Sequence, residues 1–385
     1  MKHSSERIIT THVGSLPRPH DLLDAMKTKL SGAAYDAAAY DARVRKAVSD
    51  CVHMQAECAV DVLTDGEMSK PGFFVYVKER LAGFEPRSGK GPVLFAAERA
   101  AFPEYYDDYF KRAMLGAGVA PMAPMFCVGP VRYIGEAALR KDLDNLKAAL
   151  AGVKHVDAFV PAVAPSGVGF NDYYKSDEEY LFAVAEALAA EYRAIVDAGF
   201  LVQIDDPFLA DVFAEPGLDE AQKARKAQIY VDAVNHALRG IPPERVRFHT
   251  CYGINEGPRI HEASLSDLVG YMLKIDAGAY SFEAANCRHE HEYHLWETVK
   301  LPDGKIVIPG VITHASNIVE HPELIAERIT RFAHLVGREN VIPAADCGFS
   351  SQAAYKTEVH PTVIRAKFQA LSEGARIASA RLWGS

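Results

Sequence analysis

The chain has 385 residues, of which 49% are hydrophobic and 24% charged, so it can bury a large core in one big domain or two ordinary ones. A net charge of −9 and the lack of Lys/Arg runs argue against nucleic-acid binding and favour a small-molecule partner. The sequence has no apolar stretch near the roughly 20 residues of a membrane span, no N-terminal signal core and no CxxC pair among its six cysteines. We therefore expect no membrane partner, a cytoplasmic location and reduced thiols.

Short apolar or β-branched runs alternate with long amphipathic segments along the chain. This pattern is typical of βα units around a parallel sheet, and eight such units predict an α/β fold, a single (β/α)8 TIM barrel. Helices are expected at 177–198, 221–238 and 322–336, which are rich in Ala, Leu, Glu and Lys. The predicted barrel strands lie near residues 8–13, 59–64, 157–163, 200–205, 245–251, 279–284, 306–312 and 340–345.

An aromatic-rich insertion at 71–156 follows the second predicted strand and accounts for most of the length beyond the usual ~250 residues of such a barrel. It could cover the site as a lid, form a contact between subunits of a homo-oligomer, or pack as an annex to the barrel core; the sequence leaves these three open. One further strand is expected at 121–127, outside the barrel. We predict one domain over residues 1–385, including the insertion.

A histidine, two cysteines and a glutamate stand at the ends of predicted strands: His249, Cys251, Glu283 and Cys347. Imidazole, thiolate and carboxylate are zinc ligands, and side chains two apart on a strand point the same way, so His249 and Cys251 can bind one ion together. The alternative is a pair of buried free cysteines beside a core histidine. We predict a zinc site because catalytic residues of TIM barrels sit at the C-terminal ends of the strands.

Further polar motifs occupy the ends of other predicted strands. They are Thr11-His12-Val13-Gly14-Ser15, Asp65-Gly66-Glu67, Gln203-Ile204-Asp205-Asp206-Pro207 and Gly310-Val311-Ile312-Thr313-His314. Packing alone does not explain so many polar strand ends.

In these motifs, and in Asp346-Cys347-Gly348, the chain resembles the catalytic C-terminal domain of cobalamin-independent methionine synthase and its stand-alone relatives. The resemblance implies Zn²⁺ held by His249, Cys251, Glu283 and Cys347. It implies that Gly14 and Ser15 hold the thiol substrate, that Glu67 and Asp205 receive its ammonium group, and that His314 assists proton delivery to the leaving group. The usual Asp-Glu-Pro is Asp205-Asp206-Pro207 here.

The function predicted from this resemblance is transfer of a methyl group to a small, homocysteine-like thiol, forming a thioether such as methionine. The methyl donor is open between a methylfolate and a methylated corrinoid protein. One alternative resembles epoxyalkane:coenzyme M transferase, in which a thiolate opens an epoxide, but Glu67 and Asp205 would repel its sulfonate. The other is a non-catalytic zinc or ligand-binding barrel.

Charged residues outside these motifs admit two interpretations. The loop at 286–294, with Cys287, His289, His291 and His294, is expected to be a solvated rim rather than a second metal site. Arg18 and Lys70 are expected at the surface, with binding of an acidic substrate group as the alternative.

Overall fold

The computed structural model describes residues 1–87, 95–112, 118–120, 123–253 and 256–384. Its strands, numbered in chain order, are β1 (Val62–Leu63), β2 (Leu81–Pro86), β3 (Met125–Tyr133), β4 (Asp157–Val163), β5 (Phe170–Asn171), β6 (Leu201–Asp205), β7 (Val246–His249), β8 (Ala279–Phe282), β9 (Ile306–Ile312) and β10 (Ala344–Ala345). The α-helices are α1 (His20–Leu30), α2 (Ala37–Glu57), α3 (Ala96–Ala101), α4 (Pro103–Arg112), α5 (Glu136–Leu150), α6 (Asp177–Asp197), α7 (Phe208–Ala214), α8 (Glu220–Ala237), α9 (Leu265–Met272), α10 (Pro322–Val336) and α11 (Pro361–Trp383). Short 3-10 helices lie at Val75–Glu79, Pro165–Gly167, Pro243–Arg245, Glu290–Glu297 and Arg338–Asn340.

A curved parallel sheet, with the strand order β1-β4-β6-β7-β8-β9-β10, forms the wall of the barrel. Residues 8–13 close the ring between its two edge strands. There the Val62 amide donates to the Thr10 carbonyl at 3.0 Å, and the Thr11 amide donates to the Pro343 carbonyl at 3.1 Å. The predicted α/β TIM-barrel class is confirmed.

Residues 8–13 differ from the prediction because they make no regular strand ladder. Three backbone amides of this segment donate to side chains instead of to a neighbouring strand. The Ile8 amide donates to Ser379 at 3.0 Å, the Ile9 amide to Ser4 at 3.1 Å and the Thr10 amide to Asp61 at 2.9 Å. Inside the ring, the fully buried Arg247 donates to the Thr11 hydroxyl and the His12 carbonyl. The segment is therefore held as an extended piece by side-chain hydrogen bonds.

Side chains alternate along the barrel strands between the interior of the ring and the surrounding helices. Leu201 and Ala279, at the strand starts, join an apolar cluster inside the ring, whereas Val202 joins the core under the helices. Two and four residues after Leu201, the inner side carries Gln203 and Asp205. The barrel interior is thus apolar at the N-terminal ends of the strands and polar at the C-terminal ends, where a site is expected.

The three predicted helices are α6, α8 and α10, which agree with the prediction to within one residue and each begin at a side-chain cap. At α6, the Ser176 side chain accepts the Glu179 amide, and acidic residues fill the first turn, where they oppose the positive end of the helix dipole. At α8, Asp219 and Gln222 form a capping box. None of the helices described combines the length and apolar character needed to cross a membrane.

The insertion lies between β1 and β4 and builds a second small sheet. In it β2 pairs antiparallel with β3, and β3 pairs parallel with β5, which follows the third barrel strand β4. The strand predicted at 121–127 is β3, which begins at Met125 and runs on to Tyr133; residues 121–122 lie outside the described residues. That the whole of 1–385 is one domain stays a prediction.

Aromatic residues of α3, α4 and their flanks pack into a cluster of their own: Phe95, Phe102, Tyr105, Tyr106, Tyr109 and Phe110. The Glu98 carboxylate accepts the His261 amide at 2.7 Å, and the Tyr109 hydroxyl bonds to Glu358. Both partners belong to loops that follow barrel strands. These contacts favour a cover over the barrel mouth rather than an annex to the core, and a role in subunit contact stays a prediction.

Candidate metal centre and substrate site

Three of the predicted ligands lie together at the C-terminal end of the barrel. His249 ends β7, Cys251 follows two residues later on the same side, and Cys347 lies two residues beyond β10. One donor atom from each falls within 4.8 Å of the other two, and all three side chains are buried. We call His249, Cys251 and Cys347 the His/Cys/Cys cluster.

The hydrogen bonds of His249 fit a metal ligand. Its Nδ1 lies 3.0 Å from the Ser281 hydroxyl, whereas Nε2 is buried and has no hydrogen-bond partner among the described residues. Burial, with the nearby positive Arg247, lowers the pKa of His249 to about 3, so the imidazole is neutral. A neutral ring with one nitrogen oriented by a hydroxyl and the other unsatisfied beside two thiols is suited to bind a cation.

The two thiols of the cluster interact with each other. A hydrogen bond with Cys347, together with burial, raises the pKa of the Cys251 thiol well above its usual range. Both sulfurs cannot be ionised so close together unless a positive charge compensates them, and a coordinating metal removes the proton from a thiol. The donor set of one imidazole and two thiols fits zinc.

Glu283, the fourth predicted ligand, falls in a neighbouring group. Its carboxylate lies with His314 and Asp346, whose ligand atoms are within 4.8 Å of one another; we call this group the carboxylate cluster. The Glu283 Oε2 accepts Arg259 Nη2 at 2.7 Å and Asn286 Nδ2 at 2.8 Å. The structure therefore brings three of the four predicted ligands together and holds Glu283 beside them.

His314 lies two residues beyond β9 and is buried, at the position predicted for it. Burial lowers the pKa of His314 to about 4, although the Asp346 carboxylate opposes the shift. The ring is consequently neutral at pH 7. Burial and the Glu283 charge raise the pKa of Asp346, whose two oxygens accept the amides of Ala284, Ala285 and Asn286 and the Asn286 side chain.

A small cavity of about 30 Å³ joins the predicted substrate residues to the His/Cys/Cys cluster. This volume holds about two water molecules, so the lining side chains must move to admit a molecule of more than a few heavy atoms. Ser15, Glu67 and Asp205 line it together with all three residues of the cluster. Gly14, which precedes Ser15, has a φ of +137°, a value that other residues rarely adopt. A Cβ at this position would also lie 2.7 Å from the Pro161 side chain, so only glycine fits here.

The two carboxylates of the small cavity differ in their partners. Glu67 Oε1 accepts Lys70 Nζ at 3.1 Å, whereas Asp205 Oδ1 accepts Gln203 Nε2 at 2.9 Å and has no ion pair among the described residues. Burial and the Glu67 charge raise the pKa of Asp205 well above its usual range. Asp205 therefore lacks the cation that Glu67 already has.

Sequence reasoning placed Arg18 and Lys70 at the surface, and this was wrong. Lys70 also donates to the Pro161 carbonyl at 2.6 Å, and Arg18 donates to the carbonyls of Glu67 and Lys70 at 2.9 and 3.0 Å. Both are buried because they satisfy backbone oxygens and a carboxylate beneath the cavity. The spacing Glu67-x-x-Lys70 was the only sequence signal for the ion pair between Glu67 and Lys70.

The loop at 286–294 is exposed as predicted at Cys287, His291 and His294, but His289 is buried. His289 lies between two carboxylates, with Nε2 at 3.0 Å from Glu262 and Nδ1 at 2.8 Å from Glu292. Its ring stacks on Tyr252 at 4.0 Å between centroids. Part of the loop is thus a buried ion-pair network rather than a rim.

A second, much larger cavity of about 1170 Å³ lies under the insertion. Its wall includes the aromatic residues Phe74, Phe95, Phe208 and Tyr252 and the carboxyl of Asp211. Burial, with Asp206 nearby, raises the pKa of Asp211 to about 7. Phe208 also contacts Phe73, which lines the small cavity, so the two cavities are separated by aromatic rings.

Fold and site define a TIM barrel whose catalytic end carries a buried His/Cys/Cys cluster beside two carboxylates. The family model for the catalytic domain of cobalamin-independent synthases matches residues 8–155 and 162–367, and the chain belongs to this family. The resemblance noted from the motifs is confirmed.

Known relatives agree with this assignment. A protein named methionine synthase from Sulfurisphaera tokodaii is 26% identical over 343 residues, which cover 88% of this chain and 85% of the relative. One of the same name from Thermococcus kodakarensis is 24% identical over 345 residues, covering 88% and 86%. The match thus extends over most of both proteins in each pair.

Two solved structures share the fold. The B12-independent methionine synthase from Shewanella sp. W3-18-1, in complex with selenomethionine, superposes with a TM-score of 0.76 at 20% identity, over 98% of this chain and 100% of that one. A putative vitamin-B12 independent methionine synthase from Listeria monocytogenes gives 0.66 at 18% identity, over 96% and 98%.

Proposed function

We propose that the protein is a zinc-dependent methyltransferase that methylates a small, homocysteine-like thiol to a thioether such as methionine. The observation that carries the proposal is the small cavity, because a His/Cys/Cys cluster and two carboxylates line the same space. A thiol group would enter at the cluster, and the amino group of the same molecule would meet the carboxylates. Membership in the synthase family supports the same reaction class.

His249, Cys251 and Cys347 are proposed to hold the zinc ion, with Glu283, whose charge acts on the Cys251 thiol, as the predicted fourth ligand. Zinc would lower the pKa of the substrate thiol, which is near 8.5 in water, and present it as an oriented thiolate. The protein keeps the imidazole of His249 neutral by burying it, and Ser281 fixes the orientation of its ring.

Glu67 and Asp205 are proposed to bind the substrate ammonium group, and Gly14 and Ser15 to hold the remainder of the amino acid. Asp205 is the stronger candidate for the ammonium, since Glu67 already pairs with Lys70. A buried carboxylate that gains a cation relieves the cost of its own desolvation. This preference for a positive group disfavours a sulfonate-bearing thiol.

The large cavity is proposed to admit the methyl donor. Its volume and aromatic wall suit a ring-bearing small molecule such as a methylfolate better than they suit a protein-bound corrinoid. Asp211, with a pKa of about 7, can donate or accept a hydrogen bond there. The rings of Phe73, Phe74 and Phe208 would have to shift for the two substrates to meet.

His314 is proposed to move a proton to the leaving group through a ring nitrogen. Because the ring is neutral at pH 7, it would act as a relay that takes up the proton the substrate thiol gives up and passes it to the leaving group. A leaving amine needs this proton, whereas the thiol does not.

The proposal is tested with the zinc-loaded protein, homocysteine and either a methylfolate or a methylated corrinoid protein, with methionine as the product measured. A parallel reaction contains a thiol of equal length that lacks the amino group. Methionine formation that depends on zinc and on the amino group supports the proposal. Turnover of epoxides with a sulfonate thiol would favour the epoxide-opening alternative, and zinc binding without turnover of any pair would favour the non-catalytic barrel.

A further inference from the structure

Arg259 bridges two buried carboxylates next to the His/Cys/Cys cluster. Its Nη2 donates to Glu283 Oε2 at 2.7 Å, and its Nε donates to Glu262 Oε1 at 2.5 Å. Only 3% of the Arg259 side chain is exposed, and none of the Glu283 side chain is. An ion pair this well shielded from water is costly to break, because separating it leaves an uncompensated buried charge.

The hydrogen bonds of Glu283 are unevenly divided between its two oxygens. Oε2 accepts both Arg259 and Asn286, whereas Oε1, among the residues that the structure describes, accepts only the Tyr252 amide, at 3.3 Å. Oε2, which already takes two short bonds, has little capacity left for a metal, and a metal at Oε1 would have to share the carboxylate charge with Arg259. With these bonds in place, Glu283 lies in the carboxylate cluster and not in the His/Cys/Cys cluster.

Arg259 is itself anchored on its other side. Glu262 bonds to His289, whose ring stacks on Tyr252, and His289 bonds in turn to Glu292. Arg259 also has a φ of +57°, an unusual backbone conformation for a residue with a side chain. Such strain persists only where the surroundings fix the residue firmly, so Arg259 is a rigid partner and not a flexible one.

We infer that Arg259 is a positioning residue that competes with the metal for Glu283 and so keeps a coordination position open for the substrate thiol. Catalytic zinc sites differ from structural sites in having such an open position. The inference rests on the proposed zinc site. It departs from the four-ligand set predicted from sequence, because it makes Glu283 a conditional ligand whose contribution Arg259 controls.

Zinc affinity in a double-mutant cycle tests the competition. Wild type, Arg259→Met, Glu283→Gln and the double variant are titrated with zinc against a chromophoric chelator, with all thiols kept reduced. We expect Arg259→Met to bind zinc at least roughly tenfold more tightly, within the range by which residues around a site tune metal affinity. Glu283→Gln should differ little from wild type, and the double variant should lose the gain.

Two outcomes would overturn the inference. Weaker or unchanged zinc binding in Arg259→Met would make the arginine an ordinary support for a ligand. A gain that persists in the Glu283→Gln background would reveal a general charge effect with no part for Glu283, because the cycle isolates the pair.

Cobalt substitution provides a second readout that needs no turnover. Binding of homocysteine to the cobalt-loaded protein is followed by its sulfur-to-metal charge-transfer band. We expect half-saturation of Arg259→Met to require at least roughly tenfold more homocysteine than wild type, since Glu283 then competes with the thiol. Equal half-saturation in the two proteins would refute the inference.

Two further variants serve as a control for buried arginines in general and as a replacement if Arg259→Met does not fold. Arg80→Met removes another buried arginine that pairs with two carboxylates, Asp142 and Glu191, away from the cluster, and it should leave zinc affinity unchanged. Arg259→Gln, which removes the charge but keeps a hydrogen-bond donor, replaces Arg259→Met if that variant does not fold, with the same expected gain. If wild type binds neither zinc nor homocysteine, the proposed function fails; if it binds both and the cycle shows no coupling, only this inference fails.

Discussion

The buried His289 should make the free energy of unfolding depend on pH up to about pH 9, well above the pH at which an ordinary histidine loses its proton. Burial alone would lower the pKa of His289, but its bonds to Glu262 and Glu292 outweigh that effect and raise the pKa to about 9. The perturbation is a change of pH from 6 to 10, compared in wild type and in His289→Gln. A glutamine keeps hydrogen-bonding groups at this position but does not titrate.

The sign follows from the direction of the shift. A histidine whose pKa is raised on folding stabilises the protein fully below its unfolded pKa of about 6.5, and this stabilisation is lost as the pH rises through about 9. The difference of about 2.5 pH units, at about 1.36 kcal/mol for each unit, amounts to roughly 3 kcal/mol. The His289 side chain is only 4% exposed, so solvent screening reduces this value little.

Urea unfolding at several pH values, at fixed metal content, measures the effect. We expect the wild-type free energy of unfolding to fall by roughly 3 kcal/mol more than that of His289→Gln between pH 6 and pH 10. His294→Gln is the matched control, because His294 also pairs with a glutamate, Glu297, but is 60% exposed. A His289→Gln protein with the same pH dependence as wild type would refute the reasoning.

Three further predictions concern the site. Cys347→Ala should lose zinc binding and methyl transfer but keep the circular dichroism spectrum of the folded protein. The control Cys51→Ala should keep zinc binding and methyl transfer. Unfolding of Cys347→Ala would instead make the metal structural. Asp205→Asn, which leaves the Glu67–Lys70 pair intact, should weaken homocysteine binding about ten- to hundredfold, and equal weakening for a thiol without the amino group would contradict the ammonium role. His314→Ala should retain zinc and lower turnover about 10²- to 10⁴-fold, except with a donor whose leaving group needs no proton; loss of zinc would instead make His314 a ligand.

The placement of the site was predictable from sequence because it follows from two regular features. Side chains alternate on a strand, and parallel strands bring their C-terminal ends to one face, so His249, Cys251, Glu283 and Cys347 were expected to converge; Glu283 lies instead in the carboxylate cluster. Local sequence does not contain the partners that come from distant loops. Arg259 lies in no strand, and its bond to Glu283 depends on how the loop after β7 folds back over the mouth.

The burial of charge was the least predictable property of the chain. Arg18 and Lys70 were assigned to the surface because isolated basic residues usually lie there. Each is buried because backbone carbonyls or a carboxylate from another part of the chain surround it, as the Pro161 carbonyl does for Lys70. Sequence spacing carries little information on such long-range partners.

The way in which residues 8–13 are held bears on how the protein is made. The Ile8 amide bonds to Ser379, 371 positions later in α11, and the Arg247 guanidinium bonds to Thr11 and His12 from the middle of the chain. A ribosome releases the N-terminal part first, so this segment emerges long before Arg247 and Ser379 exist. We expect the ring to close only after Pro343, whose carbonyl accepts the Thr11 amide, has been synthesised.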